Sequence, residues 1–161
     1  MEIFDFATQM EKDGENYYRE QEQKNAGNKL NNVFLMLAND EKRHGEILKS
    51  KSAGVRYDLE DSQTLARSKS VFKGIGDFKS EIKPVPSQMD LYIMALDMEK
   101  KSIDLYQDFL SKADDDSSRE IFSYLVGQEK EHYAIIQDLV EMLNNAISWV
   151  ESAEFGNRKE Y

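Results

Sequence analysis

Apolar residues recur at steps of three and four over most of the chain, a period that predicts amphipathic helices rather than strands. A first helix is expected from about Ile3 to Lys24, with Phe4, Ala7, Glu11, Gly14 and Tyr18 on one side and Phe6, Met10 and Tyr17 beside them. Asn25-Ala26-Gly27-Asn28 has the composition of a turn. A second helix, from about Lys29 to Ser50, sets Phe34, Leu37, Glu41, His44 and Leu48 on one face. Residues 51–88 form a long connection rich in Ser, Lys and Gly and closed by Lys83-Pro84-Val85-Pro86. A structureless loop of that length is unusual in a compact domain, so a short helix is expected within Asp61–Lys73. Ser87-x-x-Asp90 has the form of a capping box and opens a third helix, roughly Gln88 to Lys112, with Leu91, Ala95, Glu99, Ser102, Tyr106 and Phe109 on a face. Ser117-x-x-Glu120 marks the start of a fourth, which carries Ile121, Leu125, Glu129, His132, Ile136 and Leu139 and continues past Asn144-Asn145 to Trp149. The tail after Glu151 is polar apart from Phe155 and Tyr161.

Four helices with short, long and short connections predict an all-α bundle of two antiparallel hairpins joined by a crossover. An internal duplication supports this arrangement. Residues 3–50 laid on 91–138, without a gap, give 12 identities in 48, where average usage would give about three. The identities include Ala7/Ala95, Met10/Met98, Glu11/Glu99, Tyr18/Tyr106, Phe34/Phe122, Leu37/Leu125, Glu41/Glu129, His44/His132 and Ile47/Ile135. The hairpins then read as two repeats packed about a pseudo-twofold axis. The expected organisation is one domain over residues 1–161: repeat 3–50, crossover 51–88, repeat 89–143, and a helix extension and tail over 144–161.

Composition narrows the chemistry. The 161 residues hold 21 basic and 31 acidic side chains, a formal charge of −10, and no basic block, which argues against nucleic acid and anionic membrane surfaces as partners. No apolar run approaches the length of a spanning helix, and Met1–Asp5 lacks the cationic and apolar regions of a signal peptide, so a cytoplasmic location is expected. The absence of cysteine excludes disulfides, thiol catalysis and Cys-ligated zinc or iron–sulfur sites.

Both histidines occur as Glu-x-x-His, namely Glu41-Lys42-Arg43-His44 and Glu129-Lys130-Glu131-His132. Residues three apart share a helix face, so each pair can reach a common point. Thirty residues upstream of each motif stands a glutamate of the partner helix, Glu11 before Glu41 and Glu99 before Glu129. The chain climbs about 20 Å to each turn and descends about as far, at roughly 1.5 Å per residue, so the two glutamates return to one level. All six residues lie on the apolar stripe. Four ionised carboxylates there need compensating positive charge, and two divalent cations supply it. Glutamate oxygens with one imidazole per ion suit iron or manganese, and zinc less selectively.

Other features have two readings. Tyr18 and Tyr106, two turns after Glu11 and Glu99, read either as core aromatics or as hydroxyls bonded to a ligating carboxylate, where they would orient it or donate an electron. Gly14 and Ser102 are small in both repeats, which suits close helix packing and equally suits room for a small oxidant. Asp114–Asp116 lacks the spacing and glycine of a calcium loop and reads as a solvated turn, while Met10, Met36, Met94 and Met98 read as core filling.

With Glu11, Glu41-x-x-His44, Glu99 and Glu129-x-x-His132 in place, the sequence resembles the rubrerythrin-like branch of the ferritin-like di-iron carboxylate proteins over both hairpins. The resemblance implies a ferritin-like four-helix bundle with a two-iron centre. Glu41 and Glu129 would bridge the ions, Glu11 and Glu99 would be terminal ligands, and His44 and His132 would each cap one ion. It implies a non-haem oxidoreductase that reduces hydrogen peroxide or reacts with dioxygen, with electrons from an external donor such as a rubredoxin-like protein, since the chain lacks a Cys-ligated rubredoxin domain. It also implies a homodimer. Rubrerythrins carry a further glutamate three residues after the third-helix ligand, where this sequence has Ser102. Two other readings stay open: an iron-binding, ferroxidase or iron-storage protein without multi-turnover peroxidase activity, and a metal-free helical interaction module.

Overall fold

The computed structural model describes residues 2–76 and 86–159, with side chains for 2–76 and 88–147. The described residues form five helices and no strand: α1 (Glu2–Lys24), α2 (Leu30–Ala53), α3 (Thr64–Gly74), α4 (Pro86–Lys112) and α5 (Asp116–Lys159). Helix α1 buries Ala7, Glu11, Gly14, Tyr18 and Gln21, at the three-to-four spacing the sequence shows, and α2 buries Leu30, Phe34, Leu37, Glu41, His44 and Leu48. These stripes face each other, so α1 packs along α2, and α4 packs along α5 in the same way. Across the bundle Tyr18 meets Glu99 and Tyr106 meets Glu11, so α1 and α4 run antiparallel. The crossover lays α3 against α2 and α5, where Phe72 and Ile75 close one end of the core.

The core falls into two clusters that the offset of 88 maps onto each other. One holds Tyr18, Phe34, Leu37, Tyr92, Ala95, Ile135 and Ile136; the other holds Tyr106, Phe122, Leu125, Ala7, Ile47 and Leu48, with Phe4 packed on it. Their aromatic ladders correspond ring for ring. Tyr18 stacks on Phe34 at 6.3 Å and Phe34 meets Tyr92 at 5.7 Å, while Tyr106 stacks on Phe122 at 6.2 Å and Phe4 meets Phe122 at 5.5 Å. The two histidines lie at the centre of this symmetry, their rings stacked at 5.6 Å.

Element ends depart from the sequence reading where local hydrogen bonding decides. Helix α2 runs past Ser50 to Ala53 because Gly54 adopts the left-handed conformation (φ 70°), which brings its N–H onto the Lys51 carbonyl and the Val55 N–H onto Ser50. Helix α5 starts at Asp116 rather than at Ser117. Asp115 caps it, its Oδ2 accepting the Ser118 N–H at 2.9 Å and the Ser117 hydroxyl at 2.7 Å, and these bonds hold its carboxyl below the usual range. The same helix continues through the polar tail to Lys159, since a polar sequence free of proline need not break a helix. Helix α4 begins at Pro86, a residue suited to a first turn, so Ser87 does not open it; the Ser87 side chain, and the Lys83–Val85 part of the closing segment, lie outside what is described. Met94 and Phe6, each 60% exposed, face solvent rather than the core. No helix is long and apolar enough to cross a membrane among the described residues.

Leu37 and Leu125 are equivalent, fully buried residues, one in each cluster. Replacing either by Ala is expected to cost about 2–5 kcal/mol in equilibrium urea unfolding, and by similar amounts. A loss below about 1 kcal/mol at one position only would contradict a core built of two equivalent halves.

Candidate metal centre

Between the two apolar clusters, Glu11 of α1, Glu41 and His44 of α2, Glu99 of α4, and Glu129 and His132 of α5 come together, each at most 4% exposed. They form two overlapping groups, Glu11–Glu41–His44–Glu129 and Glu41–Glu99–Glu129–His132, and within each group one donor atom per residue lies within 4.8 Å of all the others. Glu41 and Glu129 belong to both. His44 Nδ1 is 3.4 Å from Glu11 Oε2 and from Glu129 Oε1. His132 Nδ1 is 2.8 Å from Glu41 Oε1 and 3.5 Å from Glu99 Oε1 and Glu129 Oε2. Both imidazoles therefore turn Nδ1 toward the carboxylates.

The arrangement leaves polar atoms over. Glu11 Oε2, His44 Nδ1, Glu99 Oε2 and both carboxylate oxygens of Glu129 are buried without a hydrogen-bond partner. Buried acceptors left in this state are costly, and their convergence at one point is what a bound cation would satisfy. The donor set, oxygens with one imidazole nitrogen in each group, fits a hard or borderline divalent ion.

The tyrosines cross between repeats. Tyr18 donates its hydroxyl proton to Glu99 Oε1 at 2.5 Å and Tyr106 donates to Glu11 Oε1 at 2.6 Å, so the glutamates of α1 and α4 are each oriented from the opposite hairpin. Burial, reinforced by the adjoining carboxylates, raises both phenols well above their ordinary pKa. Gly14 lies against Glu41: a Cβ there would stand 2.7 Å from Glu41 Oε2, so the glycine makes room for that carboxylate. Ser102, its equivalent, donates its hydroxyl to the Met98 carbonyl at 3.1 Å and lies 3.6 Å from Met10 Sδ.

Two residues that the spacing does not pick out complete the surroundings. His132 Nε2 is 3.0 Å from Asp40 Oδ2, and His44 Nε2 is 3.1 Å from Gln128 Oε1. The available signal is positional: each directly precedes the glutamate of a Glu-x-x-His motif, and 40 and 128 are equivalent in the duplication. Around them Ser62 donates to Asp40 Oδ2 at 2.8 Å and Arg43 donates to Gln128 Oε1 at 3.0 Å.

Without a cation, protons balance the charges. Burial raises Glu41 well above the carboxylate range, helped by Glu11, Glu129 and Glu99, and burial with the Glu129 charge raises Glu99 to about 8. Burial would also raise Glu11, but His44 beside it holds it at about 2. Burial would depress both imidazoles; instead Glu11 and Glu129 lift His44 to about 10, and bonds to Asp40, Glu129 and Glu41 lift His132 well above its ordinary value. A group with a raised folded-state pKa stabilises the fold below its unfolded pKa and loses that contribution as pH rises through the folded value. For Glu99 that window runs from 4.5 to about 8 and for His44 from 6.5 to about 10. The metal-free protein is therefore expected to melt at progressively lower temperature from pH 6 to pH 9, and a divalent ion, which takes over the role of these protons, should flatten the decline; a metal-free melting temperature that rises over this range would contradict the assignment.

Known proteins bear on this geometry. The family described as Rubrerythrin matches residues 2–140, which include all six converging residues. Comparison with curated proteins gave no match. Comparison with solved structures gave none either. With its match spanning both hairpins and the site between them, the chain belongs to the rubrerythrin family.

Proposed function

We propose that this protein is a non-haem di-iron oxidoreductase of rubrerythrin type that reduces hydrogen peroxide, or reacts with dioxygen, using electrons from an external donor. The observation that carries the reading is the set of four buried glutamates and two imidazoles whose unsatisfied donor atoms converge in two groups sharing Glu41 and Glu129. Iron ions bound there would supply a two-electron couple, diferrous to diferric, which matches the reduction of one peroxide by two electrons and two protons to two waters.

The chain's own groups then have separate tasks. Glu41 and Glu129, common to both groups, would be shared between two ions, and Glu11 and Glu99 would each serve one. His44 and His132 each present Nδ1 to one position. Tyr18 and Tyr106 hold the terminal carboxylates in place, and their raised pKa keeps them protonated as donors. The apolar clusters on both sides keep bulk water from the carboxylates, which strengthens every interaction among them. A groove of about 150 Å³ between α1 and α2, lined by Thr8, Lys12, Glu41, Gly45 and Lys49 among others, reaches Glu41 and is of a size for a small oxidant. The electrons would come from a separate donor such as a rubredoxin-like protein, a reading supported by the absence of cysteine from these 161 residues.

Ser102 favours a second reading. It stands where rubrerythrins carry a further carboxylate and is engaged by Met98 and Met10, which leaves four glutamates in a near-symmetric set suited to a ferroxidase or iron-binding protein.

Anaerobic loading with Fe(II), followed by peroxide and dioxygen in separate stopped-flow experiments, decides between them. The expected result is two irons per chain and a diferric absorption band that forms faster with peroxide and can be re-reduced through cycles. Glu129→Ala should lower peroxide consumption more than about 100-fold, beyond the usual effect of removing a residue that only supports a ligand. A faster response to dioxygen would transfer the assignment to iron oxidation, and full peroxide consumption by Glu129→Ala would overturn it.

A further inference from the structure

The two groups at the centre have the same donors: one imidazole, one terminal glutamate held by one tyrosine hydroxyl, and the shared pair Glu41 and Glu129. They differ in what stands behind the imidazole. His132 Nε2–H donates to Asp40, a carboxylate, at 3.0 Å. His44 Nε2–H donates to Gln128, an amide, at 3.1 Å. These supports occupy equivalent positions of the duplication, and both are buried, Asp40 8% and Gln128 4% exposed.

Their neighbours widen the difference. Gln128 Oε1 also accepts from the Arg43 guanidinium at 3.0 Å, so its electron density is already drawn toward a cation. Asp40 Oδ2 shares its second bond with a neutral hydroxyl, Ser62 Oγ at 2.8 Å, and its other oxygen is 3.9 Å from Arg43. A full negative charge behind an imidazole makes the opposite nitrogen a stronger donor, whereas an amide polarised by a cation does so weakly.

We propose that Asp40 and Gln128 are positioning residues that make the two metal positions unequal, so that the position at His132 takes up a divalent ion first and more tightly than the position at His44. The inference rests on the two-ion reading above. Because the ligand sets match in kind, the inequality comes from outside them. Supports of this type change metal affinity about 10- to 100-fold, which sets the expected separation between the first and second binding steps.

Anaerobic titration of the full metal-free chain with Co(II), followed by visible absorbance and calorimetry, reads the two steps without any turnover. The natural sequence should bind two ions with dissociation constants about 10- to 100-fold apart. Asp40→Asn, which keeps the shape and removes the charge, should weaken the first step toward the second and close the gap. Gln128→Glu, whose new carboxylate can pair with Arg43, should tighten the second step and close the gap from the other side. A merely structural role would weaken both steps together in Asp40→Asn and would not let Gln128→Glu tighten either. Unchanged separation in both variants, or equal weakening of both steps, would overturn the proposal. Absence of any stoichiometric Co(II) binding to the natural sequence would overturn the two-ion reading and this inference with it, a result distinct from two ions of equal affinity, which would overturn the inference alone.

Discussion

Four carboxylic acids packed between two apolar clusters are the constraint to which the rest of the molecule answers. Burial drives each toward the protonated state, while proximity forbids all four from ionising together. Without metal the balance is reached with imidazolium at His44 and His132 and with protons held by Glu41 and Glu99, and even then five acceptor or donor atoms of the cluster have no hydrogen-bond partner. Such a centre is expensive to bury without a cation. The apolar ladders on either side, Tyr18–Phe34–Tyr92 and Tyr106–Phe122–Phe4, stabilise the bundle that encloses it.

Duplication explains how so small a chain assembles the centre. A single helical hairpin places one glutamate opposite one Glu-x-x-His, and two copies about a pseudo-twofold axis complete it, each tyrosine reaching across to the glutamate of the other copy. The exchange of Tyr18 and Tyr106, and of the supports for His44 and His132, ties the halves together through polar bonds as well as apolar contact. Two of the many differences between the repeats break the symmetry around the carboxylates: Gly14 against Ser102, and Asp40 against Gln128. Those breaks lie at the site, while the core equivalents Phe34/Phe122, Leu37/Leu125 and Ile47/Ile135 are identical.

The helical period, the hairpin topology and the six converging residues were legible in the sequence because each rests on a short-range rule: 3.6 residues per turn, equal climb and descent about a turn, and a repeat at a fixed offset. The short crossover helix was legible for a similar reason and appears as α3. What was not legible depends on competition among local bonds. Ser117 has the right spacing for a cap, yet Asp115 takes the Ser118 N–H. Helix α5 passes through a polar tail that carries no apolar stripe to mark it. Met94 and Phe6 lie on helical faces whose apolar character does not reveal that no helix covers them. Asp40 and Gln128 were hidden for a different reason. Their bonds run to the histidine of the opposite hairpin, about 90 residues away, and only the paired geometry of α2 and α5 brings them there.

The central claim is that the cluster holds two ions between Glu41 and Glu129. Anomalous diffraction from crystals soaked anaerobically with Fe(II) tests it most directly. The account predicts two peaks, both flanked by Glu41 and Glu129, one beside His44 and Glu11 and the other beside His132 and Glu99. A single peak, or metal bound only at the solvated carboxylates of the surface, would contradict it.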